Sequence, residues 1–429
     1  MTDDLRALLE RAAQDVPAPD LAEKAWAAAQ SARRRDRALV TAAVAAATVV
    51  GVVAWSASDR APVRADPATS ITTVATFATA TDPSARPVAT VRGAAAYPAV
   101  APTLEATLPW LADSPMPRSL GFAPEDALPR ASAGLPVGAR AEAVLVRRVP
   151  GGYHPVVWLS RPTPGYLELD TVPLVPFLAD TNDPYLPLGT RVIDRSGTRL
   201  AFLQPGEVVV ADLGSGTVQR VPVPVRDATV GGWLADGRTL IVAGTSAWRV
   251  DPSTRQVEQV TARSSAYPHQ LLPDAPDETA STIQLRTHAA DGTALDLRTV
   301  SVAAVGVWGD TVTSPDGQWA VSGSWLAPQS EVEGYQGLLA VRTSGDPQPR
   351  LLVPPEEGSV KGCCSALGWA SSTIVLYASR SVAGANLLAW DVTSGRQWQV
   401  AALPKGLLPD GELDTRPGSA TTAVSLRQG

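Results

Sequence analysis

Two short turn patterns recur along this chain, each joined to an apolar run, and they limit it to folds built from small antiparallel β units. In the first, an Asp or Ser is followed by Gly, one or two polar residues and an apolar run. It occurs as Asp194-Arg195-Ser196-Gly197-Thr198-Arg199-Leu200-Ala201-Phe202, as Trp233-Leu234-Ala235-Asp236-Gly237-Arg238-Thr239-Leu240-Ile241-Val242 and as Ser314-Pro315-Asp316-Gly317-Gln318-Trp319-Ala320-Val321. The Asp or Ser bonds back to the backbone, Gly takes the positive φ, and the next residues enter a buried strand. In the second pattern a run ends in Asp and a turn of Ser, Thr, Pro or Gly follows: Val210-Ala211-Asp212-Leu213-Gly214-Ser215-Gly216, Trp248-Arg249-Val250-Asp251-Pro252-Ser253-Thr254 and Ala389-Trp390-Asp391-Val392-Thr393-Ser394-Gly395. Beyond Leu104 such runs return roughly every ten residues, an all-β interval. Strand-like runs cover 143–148, 155–160, 166–174, 191–194, 200–203, 207–212, 239–243, 247–251 and 256–261, with two later units over 312–352 and 367–403.

A second feature divides the chain. Residues 38–58 carry no charge, and Arg33, Arg34, Arg35 and Arg37 stand immediately before them. A helix of about 20 residues at about 1.5 Å each matches a hydrocarbon core of roughly 30 Å. Trp55 suits an interfacial anchor, and the arginines place the N-terminus in the cytoplasm by the positive-inside rule. The 37 residues ahead of the run are long for a secretory leader, which favours a retained single-pass span over a cleaved signal, although Ser56 to Ser58 offers small residues for cleavage. Ala42 with Ala46, and Ala43 with Ala47, give the small-residue spacing of a close helix pair and hence of a homodimer. The expected organisation is a cytoplasmic helical tail over 1–37, a transmembrane helix over 38–58, an Ala/Thr/Pro-rich linker over 59–103 and an extracellular β domain over 104–429. Within the linker, residues 70–78 also read as a strand.

The tail places Leu5, Leu8, Leu9 and Ala12 at helical spacing, and Asp20 with Glu23 forms a capping box ahead of a second short helix. Helices under about 12 to 15 residues are marginal alone, so the face of Leu5, Leu8 and Leu9 is the candidate partner surface. The tail is neutral, with seven Lys or Arg and seven Asp or Glu, so the net charge of -6 belongs to the remainder. That balance argues against nucleic acid as a partner.

The search for chemistry returns few candidates. There is no G-x-S-x-G elbow, H-E-x-x-H helix or phosphate loop, so neither a catalytic role nor a cofactor is expected. His154, His269 and His288 lie far apart, which disfavours a zinc site. Tyr153-His154 sits in a loop between Gly152 and a strand, of the kind that can line the mouth of a β domain, and Asp180, Asn182 and Asp183 offer oxygen ligands without a calcium-loop pattern. The only cysteines, Cys363 and Cys364, are adjacent. They read either as a vicinal disulfide and redox pair or as two semi-buried thiols in a loop.

At the recurring turns the chain resembles β-propellers of the WD-repeat and Tol-translocation type, whose blades use an S-P-D-G turn before an inner strand and a D-x-x-(S/T)-G turn between outer strands. The clean units repeat at about forty residues, as blades do. The resemblance implies six or seven blades, with a poor match over 262–310 and no S-P-D-G turn in the first unit. An array of β-sandwiches is the competing architecture. The layout is also similar to single-span, membrane-anchored propeller proteins of high-GC Gram-positive bacteria, some associated with alternative sigma factors. This implies a sigma factor as a cytoplasmic partner, although zinc-type anti-sigma domains carry a His and two Cys that residues 1–37 lack. The expected function is a non-enzymatic propeller that binds an envelope protein or ligand. The alternatives are a hydrolase or lyase with its site in the funnel, or a structural assembly protein.

Overall fold

The computed structural model describes residues 87–427 apart from short interruptions, of which 261–268, 274–281, 327–335, 354–363 and 404–420 are the longest. The chain divides into two units, 1–69 and 70–429, and the described residues belong to the second. Leu5, Leu8, Leu9, the uncharged run 38–58, Cys363 and residues 180–183 lie outside them. Among the described residues, no helix is long and apolar enough to cross a membrane.

Among the described residues six sheets of three or more strands succeed one another, beside a two-stranded hairpin of β6 (Phe177–Leu178) and β7 (Pro184–Tyr185). Sheet 1 is ordered β26 (Thr421–Leu426), β3 (Arg140–Val149), β4 (Gly152–Arg161), β5 (Gly165–Glu168). Sheet 2 holds β8 (Arg199–Gln204), β9 (Glu207–Asp212) and β10 (Thr217–Pro222), with residues 191–193 running inside β8 through the Ile193–Leu200 bridge. Sheet 3 is β11 (Val230–Trp233), β12 (Leu240–Ala243), β13 (Ala247–Asp251) and β14 (Gln256–Val260). Sheet 4 is β15 (His269–Pro273), β16 (Ile283–His288) and β17 (Ala294–Val300). Sheet 5 contains β18 (Val305–Thr313), β19 (Trp319–Leu326), β20 (Gln336–Arg342) and β21 (Pro349–Val353), and sheet 6 contains β22 (Ser365–Trp369), β23 (Ile374–Ser381), β24 (Gly384–Asp391) and β25 (Gln397–Ala402). Neighbouring strands within each of these sheets are antiparallel.

Alternation along the strands shows how the sheets pack. Side chains point to opposite faces with period two. In β8, Leu200 and Phe202 pack against sheet 1, while Ala201 and Leu203 pack against sheet 3. In β20, Leu338 and Ala340 join the core shared with sheet 6, whereas Leu339 and Val341 join the core shared with sheet 4. In β24, Leu388 and Trp390 face sheet 5 while Leu387 and Ala389 face sheet 1. Sheets apolar on both faces explain runs such as Val208-Val209-Val210-Ala211, buried without a break. The core of Leu376, Leu387, Leu145 and Leu426 brings the last sheet against the first, and β26 pairs with β3 to supply that sheet's inner strand. The fold is a β-propeller.

An array of separate sandwiches does not fit sheets 1, 2, 5 and 6, each of which is apolar on both faces where a sandwich sheet has one such face. The first unit lacks an S-P-D-G turn for a topological reason: its inner strand arrives from the far end of the chain, so no such turn joins β26 to β3. Within 262–310, where the sequence match is poor, stands the three-stranded sheet 4.

The linker expected over 59–103 ends earlier than its composition suggests. β1 (Ala89–Val91) and β2 (Ala94–Pro98) form a hairpin, and β2 lies parallel to β21. A 3-10 helix over Pro102–Thr107 follows. The chain then continues along the outer edges of successive sheets. Trp110 and Ser119 bridge Gln399 and Ala402 in sheet 6, and Arg130 bridges Glu168 in sheet 1. Gly138 N–H donates to Leu213 O of sheet 2 at 3.1 Å. Small residues such as Ala94 and Ala96 are fully buried here, so low hydropathy hid a packed segment.

The recurring turns have the geometry their chemistry dictates. Asp194 Oδ1 accepts from Thr198 N–H at 2.9 Å and Arg199 N–H at 3.0 Å, and Gly197 takes φ +77°. Ser314 Oγ accepts from Trp319 N–H at 3.0 Å, which feeds Trp319 into the core.

Candidate functional site

In sheets of alternating direction, the turns between first and second strands lie at one end of the ring, and the connections between sheets lie at the other. At the turn end, Arg195 of sheet 2 donates from Nη2 to Pro315 O of sheet 5 at 2.7 Å. Those sheets are not neighbours in the propeller, so the guanidinium reaches across its middle. Arg427, just after β26, donates to Arg195 O at 3.4 Å from the same end. Its Nε also meets Glu142 Oε2 at 2.6 Å, and Glu142 accepts from Ser160 Oγ at 2.7 Å and lies 3.2 Å from Arg140 Nε. The turn end is therefore crossed by side chains.

The β3–β4 hairpin opens on the opposite, connection face. Its tip, formed by Arg148, Val149, Pro150, Gly152 and Tyr153, lines a cavity of about 540 Å³. Beside it, the buried carboxylate of Glu168 accepts from Arg147 Nη1 at 3.0 Å and meets His154 Nδ1 at 2.7 Å. Register brings them together: Arg147 stands opposite His154, and Glu168 opposite Val156. Arg147 also donates to Asp126 O at 2.9 Å and lies over the Phe122 ring at 5.8 Å. Arg147 thus comes to the cluster already anchored. Neutral His154 donates Nδ1–H to Glu168 and leaves Nε2 as an acceptor; protonated, it becomes a donor at both nitrogens. Such an oriented imidazole beside a cavity suits recognition of a polar ligand or proton exchange.

Glu105 is a second buried carboxylate. It accepts from Asn386 Nδ2 at 2.7 Å and from Ser379 Oγ, so the 3-10 helix over Pro102–Thr107 is pinned to sheet 6. Burial raises its carboxyl above the usual range, with those two hydrogen bonds opposing. The Tyr377 hydroxyl is pushed well up by burial and then by the charge of Glu105. Gln397 Nε2 donates to Pro98 O at 2.7 Å, holding the same segment. This is a docking seat for the chain's own belt.

Of the residues the sequence singled out, His154 enters the cluster on the connection face. Cys364 is disulfide-bonded and buried just ahead of β22, in the core between sheets 5 and 6 that contains Trp369 and Tyr377. His269 Nδ1 lies 3.2 Å from Thr287 Oγ1, and burial depresses its imidazole to about 4. Among the described residues, no group of three or more His, Cys, Asp or Glu is placed to hold a metal ion. Sequence reasoning missed Glu168, Glu142, Arg147 and Glu105. Ala141-Glu142-Ala143 and Leu167-Glu168-Leu169 did carry a signal, since a lone carboxylate inside an apolar strand needs a buried partner.

No family model matches the chain, and no curated protein matches it. Similar solved structures include TolB from Acinetobacter baumannii, 13% identical over 67% of each chain with a TM-score of 0.38. Kuenenia stuttgartiensis hydrazine synthase is 13% identical over 70% of this chain and 89% of that chain, with a TM-score of 0.38. A protein from Lactobacillus plantarum is 13% identical over 66% of this chain and 99% of that chain, with a TM-score of 0.33. The propeller assignment stands on the sheet pairing and shared cores described above.

Proposed function

We propose that this chain is a membrane-tethered, extracytoplasmic propeller of six blades that binds an envelope protein or ligand on its connection face and communicates with a cytoplasmic partner, such as a sigma factor, through its tail. The observation that carries the binding reading is the imidazole of His154 held against buried Glu168 beside the cavity on the connection face, opposite the end that Arg195 crosses. The tether reading is supported by the arginine-flanked, uncharged run 38–58. A second reading, a hydrolase or lyase working at that face, is favoured by the imidazole held against Glu168 at 2.7 Å.

A crosslinked pull-down from membranes tests the first reading, comparing the full-length chain with one lacking residues 3–30 but keeping the arginines. Capture of a cytoplasmic regulator that depends on those residues supports transmembrane communication. Identical envelope partners in both versions, with nothing cytoplasmic, would reduce the tail to a topogenic leader.

A further inference from the structure

Of the chain's three histidines, His269 and His288 stand together in sheet 4. His269 opens β15 and His288 closes β16, where Thr287 lies opposite His269 in register. Both imidazoles are buried, and His269 Nδ1 lies 3.2 Å from Thr287 Oγ1. From sheet 5 the S-P-D-G turn reaches the same ring, which the Gly317 backbone hydrogen-bonds. Gly317 O also accepts from Thr343 Oγ1, and Thr343 O accepts from Arg298 of β17, whose Nη1 donates to Gly345 O at 3.1 Å. The imidazole thus sits in a polar knot that ties sheet 4 to the turns of sheet 5. Farther along this seam Leu271 N–H donates to Thr311 Oγ1 at 3.0 Å, and Leu271, Leu285 and Val300 share a core with Ala320, Leu339 and Val341.

The knot accommodates a neutral ring and opposes a charged one. Burial strips the water that would solvate an imidazolium, and Arg298 and His288 add repulsion, which together outweigh the Gly317 backbone that favours the proton. The carboxylates of the packed elements have engagements of their own. Asp296 on β17 lies 3.3 Å from Arg298 Nε, and Asp316 in the turn accepts from Ser314 Oγ at 2.6 Å and Gln318 N–H at 3.1 Å; on β18, Asp310 stands next to Thr311. His269 therefore titrates at about 4 in the closed seam, against 6.5 for a hydrated ring. Any state that lets water reach the ring binds the proton more tightly between those values, so closure is fully supported above about 6.5 and loses support as pH falls toward about 4. Parting one seam exposes far less core than unfolding the whole ring, and so it is the cheaper route to that hydration.

We infer that the seam between sheets 4 and 5 is an acid-opened latch: proton uptake by His269, beside the charges of Arg298 and His288, parts β15 from the S-P-D-G turn while the rest of the propeller stays folded. The latch is independent of the binding reading.

Hydrogen exchange on the full-length chain in detergent tests it, read as protection factors corrected for the intrinsic rate at each pH from neutral down to the His269 range. The Leu271 amide reports the seam directly, because its acceptor belongs to sheet 5. Its protection is expected to fall about tenfold per pH unit below about 6.5, while amides of β3 and β24 keep theirs. His269→Gln cannot take up that proton and should remove the fall, with β3 and β24 protected as in the native chain at neutral pH. Constant Leu271 protection in the native chain across this range would overturn the proposal without recourse to any variant. A fall that persists in His269→Gln would also overturn it, since another group would then drive the opening, as would a loss shared with β3 and β24, which is general acid unfolding.

Discussion

Arg255 occupies a position that its counterparts give to glycine. In the turn after Asp212, Gly216 has φ +72°, and in the turn after Asp391, Gly395 has φ +79°; Arg255, four residues after Asp251, has φ +58°. A side chain in that region clashes with its own backbone. Arg255→Gly is therefore expected to stabilise the protein by about 0.5–1 kcal/mol, checked by chemical denaturation, after the greater freedom of Gly in the unfolded chain is subtracted. The turn was legible because Asp and Gly announce it; Arg255 was not, because nothing in its identity requires a positive φ. His269 makes a second residue-level case. Burial lowers its imidazole from 6.5 to about 4, so between those values the unfolded chain binds the proton more tightly. Stability contributed by neutral His269 is full above about 6.5 and is lost as pH falls toward about 4. The denaturation midpoint should drop across that window, and His269→Gln should flatten the slope.

At the level of elements, one strand closes the ring. β26 pairs with β3, and just beyond it Arg427 is clasped by Glu142, which is buried and also engages Ser160 and Arg140. Removing one partner of a buried pair strands the others without an acceptor, at about 3 kcal/mol. Glu142→Ala should cost about that much in denaturant titration and hasten hydrogen exchange in β26 before other strands. Ending the chain at residue 420 should do more, broadening thermal unfolding because sheets 6 and 1 lose the strand that joins them. The outer strands show the opposite economy. β10 and β14 are largely exposed, so they carry Gln, Glu and Arg where inner strands carry Val and Leu.

Across the ring of sheets, the two ends differ. One is crossed by Arg195 and clasped by Arg427; the other carries the connections and the cavity beside His154. His154→Ala should leave thermal stability nearly unchanged, because its side chain is partly exposed and Glu168 keeps Arg147. Under the binding reading it should weaken capture of the envelope partner. Unchanged capture in a quantitative pull-down would move the binding surface away from the β3–β4 hairpin.

Strand chemistry is local, and the sequence alone therefore determined the β class, the recurring turns and the repeat of about forty residues. Composition likewise marked residues 38–58 as an uncharged run that follows a cluster of arginines. What needed the tertiary structure was every relation between distant residues. Ring closure by β26, the burial of Glu142 and Glu168, the reach of Arg195 across the middle and the packing of the Ala-rich residues 94–99 depend on partners tens to hundreds of positions away. A carboxylate in an apolar strand signals that it must be satisfied. Only the folded chain decides by whom.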